Sequence, residues 1–113
     1  MIEKDILPWR FVYRWSEDKN GKASDRFLGE DRRLYSFKIC DVLPGQGVAE
    51  FRLVVFRHRA GLADEEVYNE IQTALEPGET VQIPQLPSWV IKLDAATGSD
   101  AQFCACRPVR SAV

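Results

Sequence analysis

The segment AEFRLVVFRHR, residues 49–59, is the only run in the chain that is apolar on both faces of a strand. At a period of two, its large apolar side chains fall on both sides: Phe51, Leu53 and Val55 on one side, Val54 and Phe56 on the other. Such a pattern is typical of a strand that is covered on both faces. We therefore predict that this segment is the central strand of a sheet.

The residues before this segment predict its partner. Within residues 34–42, a period of two places Tyr35, Phe37 and Ile39 on one face. The turn sequence LPGQG, residues 43–47, then separates the two segments. Because short connections of this composition join antiparallel neighbours, we predict a hairpin.

A strand rich in aromatic residues, WRFVYRW, occupies residues 9–15. Its aromatic side chains share one face and the remaining side chains share the other: Trp9, Phe11, Tyr13 and Trp15 against Arg10, Val12 and Arg14. A polar loop follows, with Asn20-Gly21 at its centre, a dipeptide suited to positive φ. The sequence thus predicts an aromatic strand that ends at a turn.

Residues 64–76 show a spacing typical of a helix. Asp64 is a suitable N-cap, and acidic residues follow it in the first turn, where carboxylates favour the positive end of the helix dipole. The apolar residues Val67, Ile71 and Leu75 recur at helical spacing, and Pro77-Gly78 would end the helix. We predict one amphipathic helix that buries these three side chains.

Further strands are predicted at residues 79–83, 88–94 and 101–107, with a short edge strand near Phe27 and Leu28. The 113 residues suit a single domain that spans the whole chain, residues 1–113. We expect an α+β fold, in which a curved antiparallel sheet of five to seven strands, or a half-barrel, carries one α-helix packed on one face.

Composition excludes several classes of function. The net charge is −2, which provides no general attraction for nucleic acid. Arg10 and Arg14 also face away from the aromatic side chains of their strand, so they cannot form a stacking platform with them. No signal peptide or transmembrane segment is visible, so we expect a cytoplasmic protein that binds neither nucleic acid nor membrane.

The cysteine and histidine residues provide a weak signal for chemistry. Cys104 and Cys106 have C-x-C spacing and could join Cys40 and His58 in a zinc site, but no second paired ligand motif accompanies them. Cys40 with His58 could be a nucleophile and its base, yet no orienting acid is identified. We expect free thiols, no metal, no cofactor and no catalytic residue.

The aromatic strand supports a functional hypothesis. One helix is too small to cover the apolar face of a sheet with five or more strands, so part of that face would need another cover. Self-association is the most common cover, and we predict a small non-enzymatic binding module that forms a homodimer. The candidate binding or interface residues are Trp9, Phe11, Tyr13, Trp15 and Trp89.

An alternative stays open from the same residues. The aromatic side chains could line a pocket between helix and sheet that binds a small apolar or aromatic ligand, as in a ligand-binding domain or a minor enzyme. A protein partner other than a second copy is also compatible with the sequence.

Overall fold

The structure is a computed structural model that describes residues 10–84 and 86–106. These residues form nine strands and contain no helix. The strands in chain order are β1 (Arg10–Arg14), β2 (Lys22–Ala23), β3 (Phe27–Leu28), β4 (Leu34–Pro44), β5 (Ala49–His58), β6 (Glu65–Leu75), β7 (Thr80–Ile83), β8 (Leu86–Thr97) and β9 (Asp100–Cys106).

The strands form two antiparallel sheets. The first sheet has the order β1-β9-β8-β7, so it joins the beginning of the described chain to its end. The second sheet has the order β2-β4-β5-β6, and β3 also pairs with β4. The middle of the chain therefore supplies one whole sheet, and the two ends supply the other.

The sheets enclose a single apolar core between them. The Phe11 ring of the first sheet meets the Phe37 ring of the second edge to face, at 5.1 Å between centroids. Phe51 and Phe103 make a second aromatic contact between the sheets, at 4.9 Å. Because the inner faces of both sheets supply this core, the molecule is a β-sandwich.

The prediction for the central strand is confirmed. β5 lies between β4 and β6, and β4 and β5 form the predicted antiparallel hairpin. The side chains of Phe51, Leu53 and Val55 are fully buried in the core, and Val54 on the opposite face is also buried. The predicted strands near the C-terminal end are confirmed as β7, β8 and β9, and the short edge strand as β3.

The prediction of an α+β fold is wrong, because residues 64–76 hold no helix. They contain β6, whose β-branched and aromatic residues suit an extended backbone. A spacing of four residues fits both a helix and one face of a strand, so the apolar positions could not separate the two. Pairing with β5 favours the strand over the helix. The Arg52 guanidinium on β5 also donates to the Asn69 side chain on β6 at 2.7 Å, which stabilises this pairing.

The prediction of one curved sheet is also wrong, because the strands form two sheets. The cover that the aromatic strand needs comes from a second sheet and not from a helix. A sheet covers far more of its neighbour than one short helix can, so Phe11 and Tyr13 are covered within the molecule itself.

Candidate functional site at the free edge of the first sheet

Most of the predicted interface residues belong to the core. Phe11, Tyr13 and Trp89 are buried, with exposed fractions of 6%, 2% and 3%. Trp15 lies partly exposed at the margin of the core, with the Lys19 ammonium 4.9 Å from its ring centroid. Trp9 lies outside the described residues. The structure thus brings three of the five together inside the sandwich, where they are not accessible to a partner.

The backbone of β1, in contrast, has no pairing strand along one side among residues 10–84 and 86–106. β1 is the first strand of its sheet, and its inner neighbour is β9. The Trp15 amide donates to the Ala101 carbonyl at 2.9 Å. Antiparallel pairs alternate between bonded and non-bonded residues, so Tyr13 and Phe11 also bond to β9, whereas the peptide groups of Val12 and Arg14 point to the free edge.

Val12 is the centre of this edge. The Arg14 carbonyl already accepts from the Glu17 amide at 3.2 Å, which leaves the amide and carbonyl of Val12 as the outward pair in the middle of the strand. Its side chain is also 47% exposed, an unusual degree for valine in a strand. Both the backbone and the side chain of Val12 are therefore accessible.

A cleft of about 450 Å³ opens beside this edge, between β1 and the loop that leads to β2 in the other sheet. It is lined by Val12, Tyr13, Arg14, Glu17, Asp18, Lys22 and Gln102. Under it, the Tyr13 hydroxyl donates to the Asp18 carbonyl at 2.7 Å. Burial, followed by the nearby charges of Asp18 and Cys40, raises the pKa of Tyr13 to about 12, so this phenol stays neutral.

The charges around the cleft are balanced. The Arg14 guanidinium lies 3.3 Å from the Asp100 carboxylate and 3.9 Å from that of Glu17, and it donates to the Gln102 side chain at 3.1 Å. The Lys22 ammonium lies 6.0 Å from the centre of the Phe11 ring. Since both signs of charge are present and Arg14 is already paired, the cleft suits a polar peptide backbone better than a strongly charged ligand.

The other long edge is protected. Glu70 on β6 pairs with the core residue Leu53 and so lies on the inner side of the sheet, and the β5–β6 ladder has two register shifts. Glu65, Glu66 and Glu70 are all exposed along this strand. Inward charges, bulges and acidic side chains are common devices against strand addition. β1 carries no acidic residue, so it is more open than β6. β7, at the other edge of the first sheet, also carries no acidic residue but has only 4 residues against the 5 of β1.

A second group of polar residues was missed by sequence reasoning. The Ser36 hydroxyl lies 2.7 Å from His58 Nε2, and His58 Nδ1 lies 2.8 Å from Asp64 Oδ1. From the sequence, Cys40 was considered as a partner for His58 but not adopted as a catalytic residue. The hairpin register places Cys40 opposite Arg52 and His58 opposite Leu34, which is six residues from Cys40 along β4. The antiparallel register of β4 and β5 is the signal for this group, because it sets Ser36 beside the end of β5, where His58 lies.

The cysteines do not meet one another in a site. Cys40, Cys104 and Cys106 are not in disulfide bonds. Within residues 10–84 and 86–106, no three His, Cys, Asp or Glu side chains gather in a way that could hold a metal ion. In the same part of the chain, no helix has the length and apolar character needed to cross a membrane.

Comparison of the chain with protein-family models, with curated proteins and with solved structures found no match. The features of the molecule that bear on function are therefore the cleft at the β1 edge and the hydrogen-bonded Ser36 group.

Proposed function

We propose that the protein is a small cytoplasmic binding module whose binding role involves no enzymatic activity. We further propose that it self-associates by strand addition at the free edge of β1. The observation that carries the proposal is the outward peptide group of Val12 beside an open cleft. An edge strand with unpaired amide and carbonyl groups is a template for another strand. Three cysteines outside disulfide bonds fit a reducing compartment, which supports the cytoplasmic location.

A second copy of the chain is the partner that fits this edge best. If two β1 strands pair antiparallel about Val12, each Val12 amide donates to the carbonyl of the other Val12. The same register places Phe11 opposite Tyr13 of the second copy and joins the two four-stranded sheets into one. Isologous contacts of this kind generate closed dimers, which are the most common soluble oligomers.

Electrostatics permit this pairing. The register places Arg10 of one copy opposite Arg14 of the other, and like charges in such positions repel. The carboxylates of Asp100 and Glu17, at 3.3 and 3.9 Å from Arg14, reduce that repulsion. Self-association through β6 would instead bring together two strands that each carry three exposed glutamates.

A second candidate function is the binding of a small polar molecule in the cleft. Its volume of about 450 Å³ is within the range of small-molecule sites. The chemistry of such a ligand differs from the apolar or aromatic one expected from the sequence, because the lining is mostly charged and polar.

The experiment compares Val12→Pro with Val12→Thr by sedimentation velocity over a wide range of protein concentration. Proline removes the outward amide but no hydrogen bond to β9, and edge strands tolerate it. Threonine keeps the amide and nearly the same shape, so it is the matched control. We expect a concentration-dependent dimer for the wild type and for Val12→Thr, and a folded monomer for Val12→Pro, with folding checked by circular dichroism.

Two results would refute the proposal: a wild-type protein that stays monomeric at the highest concentration, or a Val12→Pro variant that dimerises as well as the wild type. If the wild type is monomeric and a metabolite library shifts its thermal unfolding, the small-molecule function takes its place.

A further inference from the structure

Ser36, His58 and Asp64 form a continuous hydrogen-bonded chain on the second sheet. A carboxylate only accepts, so His58 Nδ1 carries a proton and donates it to Asp64 over 2.8 Å. In the neutral ring, Nε2 then holds the lone pair and accepts from the Ser36 hydroxyl over 2.7 Å. This is the arrangement by which a base activates a serine nucleophile and an acid orients the base.

The fold holds these three residues firmly. Ser36 lies within β4, and His58 is the last residue of β5, the strand that β4 pairs with. Asp64 directly precedes β6, the other neighbour of β5. The His58 side chain is only 8% exposed, so the ring is held in one position and bulk water competes little for its hydrogen bonds.

We propose that Ser36 is a nucleophile for small activated acyl esters, with His58 as its base and Asp64 as the positioning residue. Ser36 Oγ bonds to the acyl carbon while the bond from that carbon to the leaving oxygen breaks, and the hydroxyl proton passes through His58 Nε2 to the departing alcohol. Water, deprotonated by His58, then cleaves the acyl-Ser36 ester and releases the acid. The sum is ester plus water to acid plus alcohol, and this activity is independent of association at β1.

The surroundings of Ser36 set limits on the substrate and on the rate. Ser36 is only 6% exposed, so a narrow acyl group is required. The Phe37 amide donates to the Ser24 hydroxyl, and the Phe37 carbonyl accepts from the Ser24 amide. Because successive residues of a strand direct their peptide groups to opposite sides, the Ser36 amide points toward β5. That amide cannot stabilise an oxyanion. Lys38, two residues along on the same face, is the cation on β4 that could supply this charge.

The test is covalent labelling of the folded protein by a small fluorophosphonate, with the modified residue identified by mass spectrometry. Ser99 is exposed and lies far along the chain in the β8–β9 turn, so it is the internal control for unselective reaction. We expect the label on Ser36 and a labelling rate that falls about 100-fold or more in His58→Gln, which loses the base. Asp64→Asn should also shift the pH profile of labelling, which a merely structural role would not do.

Three results would overturn the proposal. They are an unlabelled Ser36 in folded wild-type protein, a rate for His58→Gln equal to that of the wild type, and labelling of Ser99 as fast as that of Ser36. Ser36→Ala with p-nitrophenyl acetate provides a second measurement, and its ester hydrolysis should fall to the rate of buffer alone.

Discussion

At the scale of single residues, Tyr13 shows how one side chain can serve the core and the surface together. Its ring is buried and stacks on Phe103 with 6.0 Å between centroids. Its hydroxyl reaches the edge of the sandwich and donates to the Asp18 carbonyl. This bond connects β1 to the turn that borders the cleft, so Tyr13 supports the shape of the proposed binding edge.

The raised pKa of Tyr13 predicts a loss of stability in alkali. The unfolded phenol loses its proton near pH 10, whereas the folded one keeps it to about pH 12. The stabilisation is therefore complete below pH 10 and is lost as the pH rises from about 10 to about 12. Between these values the unfolding free energy of the wild type should fall more steeply than that of Tyr13→Phe, measured by urea denaturation.

Tyr13→Phe also tests the hydrogen bond itself. At neutral pH we expect the variant to lose about 1 kcal/mol, because the Asp18 carbonyl loses its donor. If both proteins respond to alkali with the same slope, the phenol is not shielded as the structure shows.

At the scale of elements, β6 is the segment where the helical interpretation was wrong. Ile71 is 47% exposed although its spacing predicted burial, and Leu75 is only 7% exposed. The difference arises because Ile71 lies opposite Arg52 on the outer face of the sheet, whereas a register shift between Gln72 and Leu75 brings Leu75 to the inner face. Leu75 lies opposite the core residue Ala49 at the end of the ladder.

The two positions therefore form a matched pair for mutation. Leu75→Ala should cost about 2–5 kcal/mol of unfolding free energy, as deletion of a buried leucine does. Ile71→Ala should cost under about 1 kcal/mol, because most of its side chain already contacts water. Chemical denaturation of both variants measures this contrast, and equal losses would support the helical arrangement over the strand.

At the scale of the whole molecule, the two sheets depend on each other for their core. Phe51 on β5 and Phe103 on β9 meet across the interface between the sheets, with 4.9 Å between their ring centroids. Neither sheet has another apolar layer to pack against among the described residues. We therefore expect the sandwich to unfold as one cooperative unit.

A double-mutant cycle tests this contact. Phe51→Leu and Phe103→Leu keep apolar side chains but remove the aromatic pair. The coupling free energy should be about 0.5–1.5 kcal/mol, the usual value for an edge-to-face contact. A pair without a shared contact, such as Phe51 with the exposed Leu62, should show additive effects. Additivity between Phe51 and Phe103 would mean that the sheets do not pack in this way.

The sequence alone predicted the elements whose pattern is local. β5 has apolar residues on both faces, β4 is joined to it by a glycine-rich turn, and β1 has its aromatic residues at every second position. Each of these features follows from side-chain period and turn chemistry, which act over a few neighbouring residues. The five aromatic candidate residues were also recognised as a set that needed cover.

Only the tertiary structure decided what that cover is and where chemistry could occur. The apolar spacing within residues 64–76 fits both a helix and one face of a strand, and pairing with β5 makes the segment a strand. The aromatic side chains of β1 face the second sheet and lie in the core. The candidate interface is therefore the backbone at Val12 and not the aromatic face. Ser36, His58 and Asp64 come from three separate positions in the chain, and the antiparallel register sets them beside one another. Such outcomes depend on contacts between residues that are distant in sequence, and no local pattern encodes them.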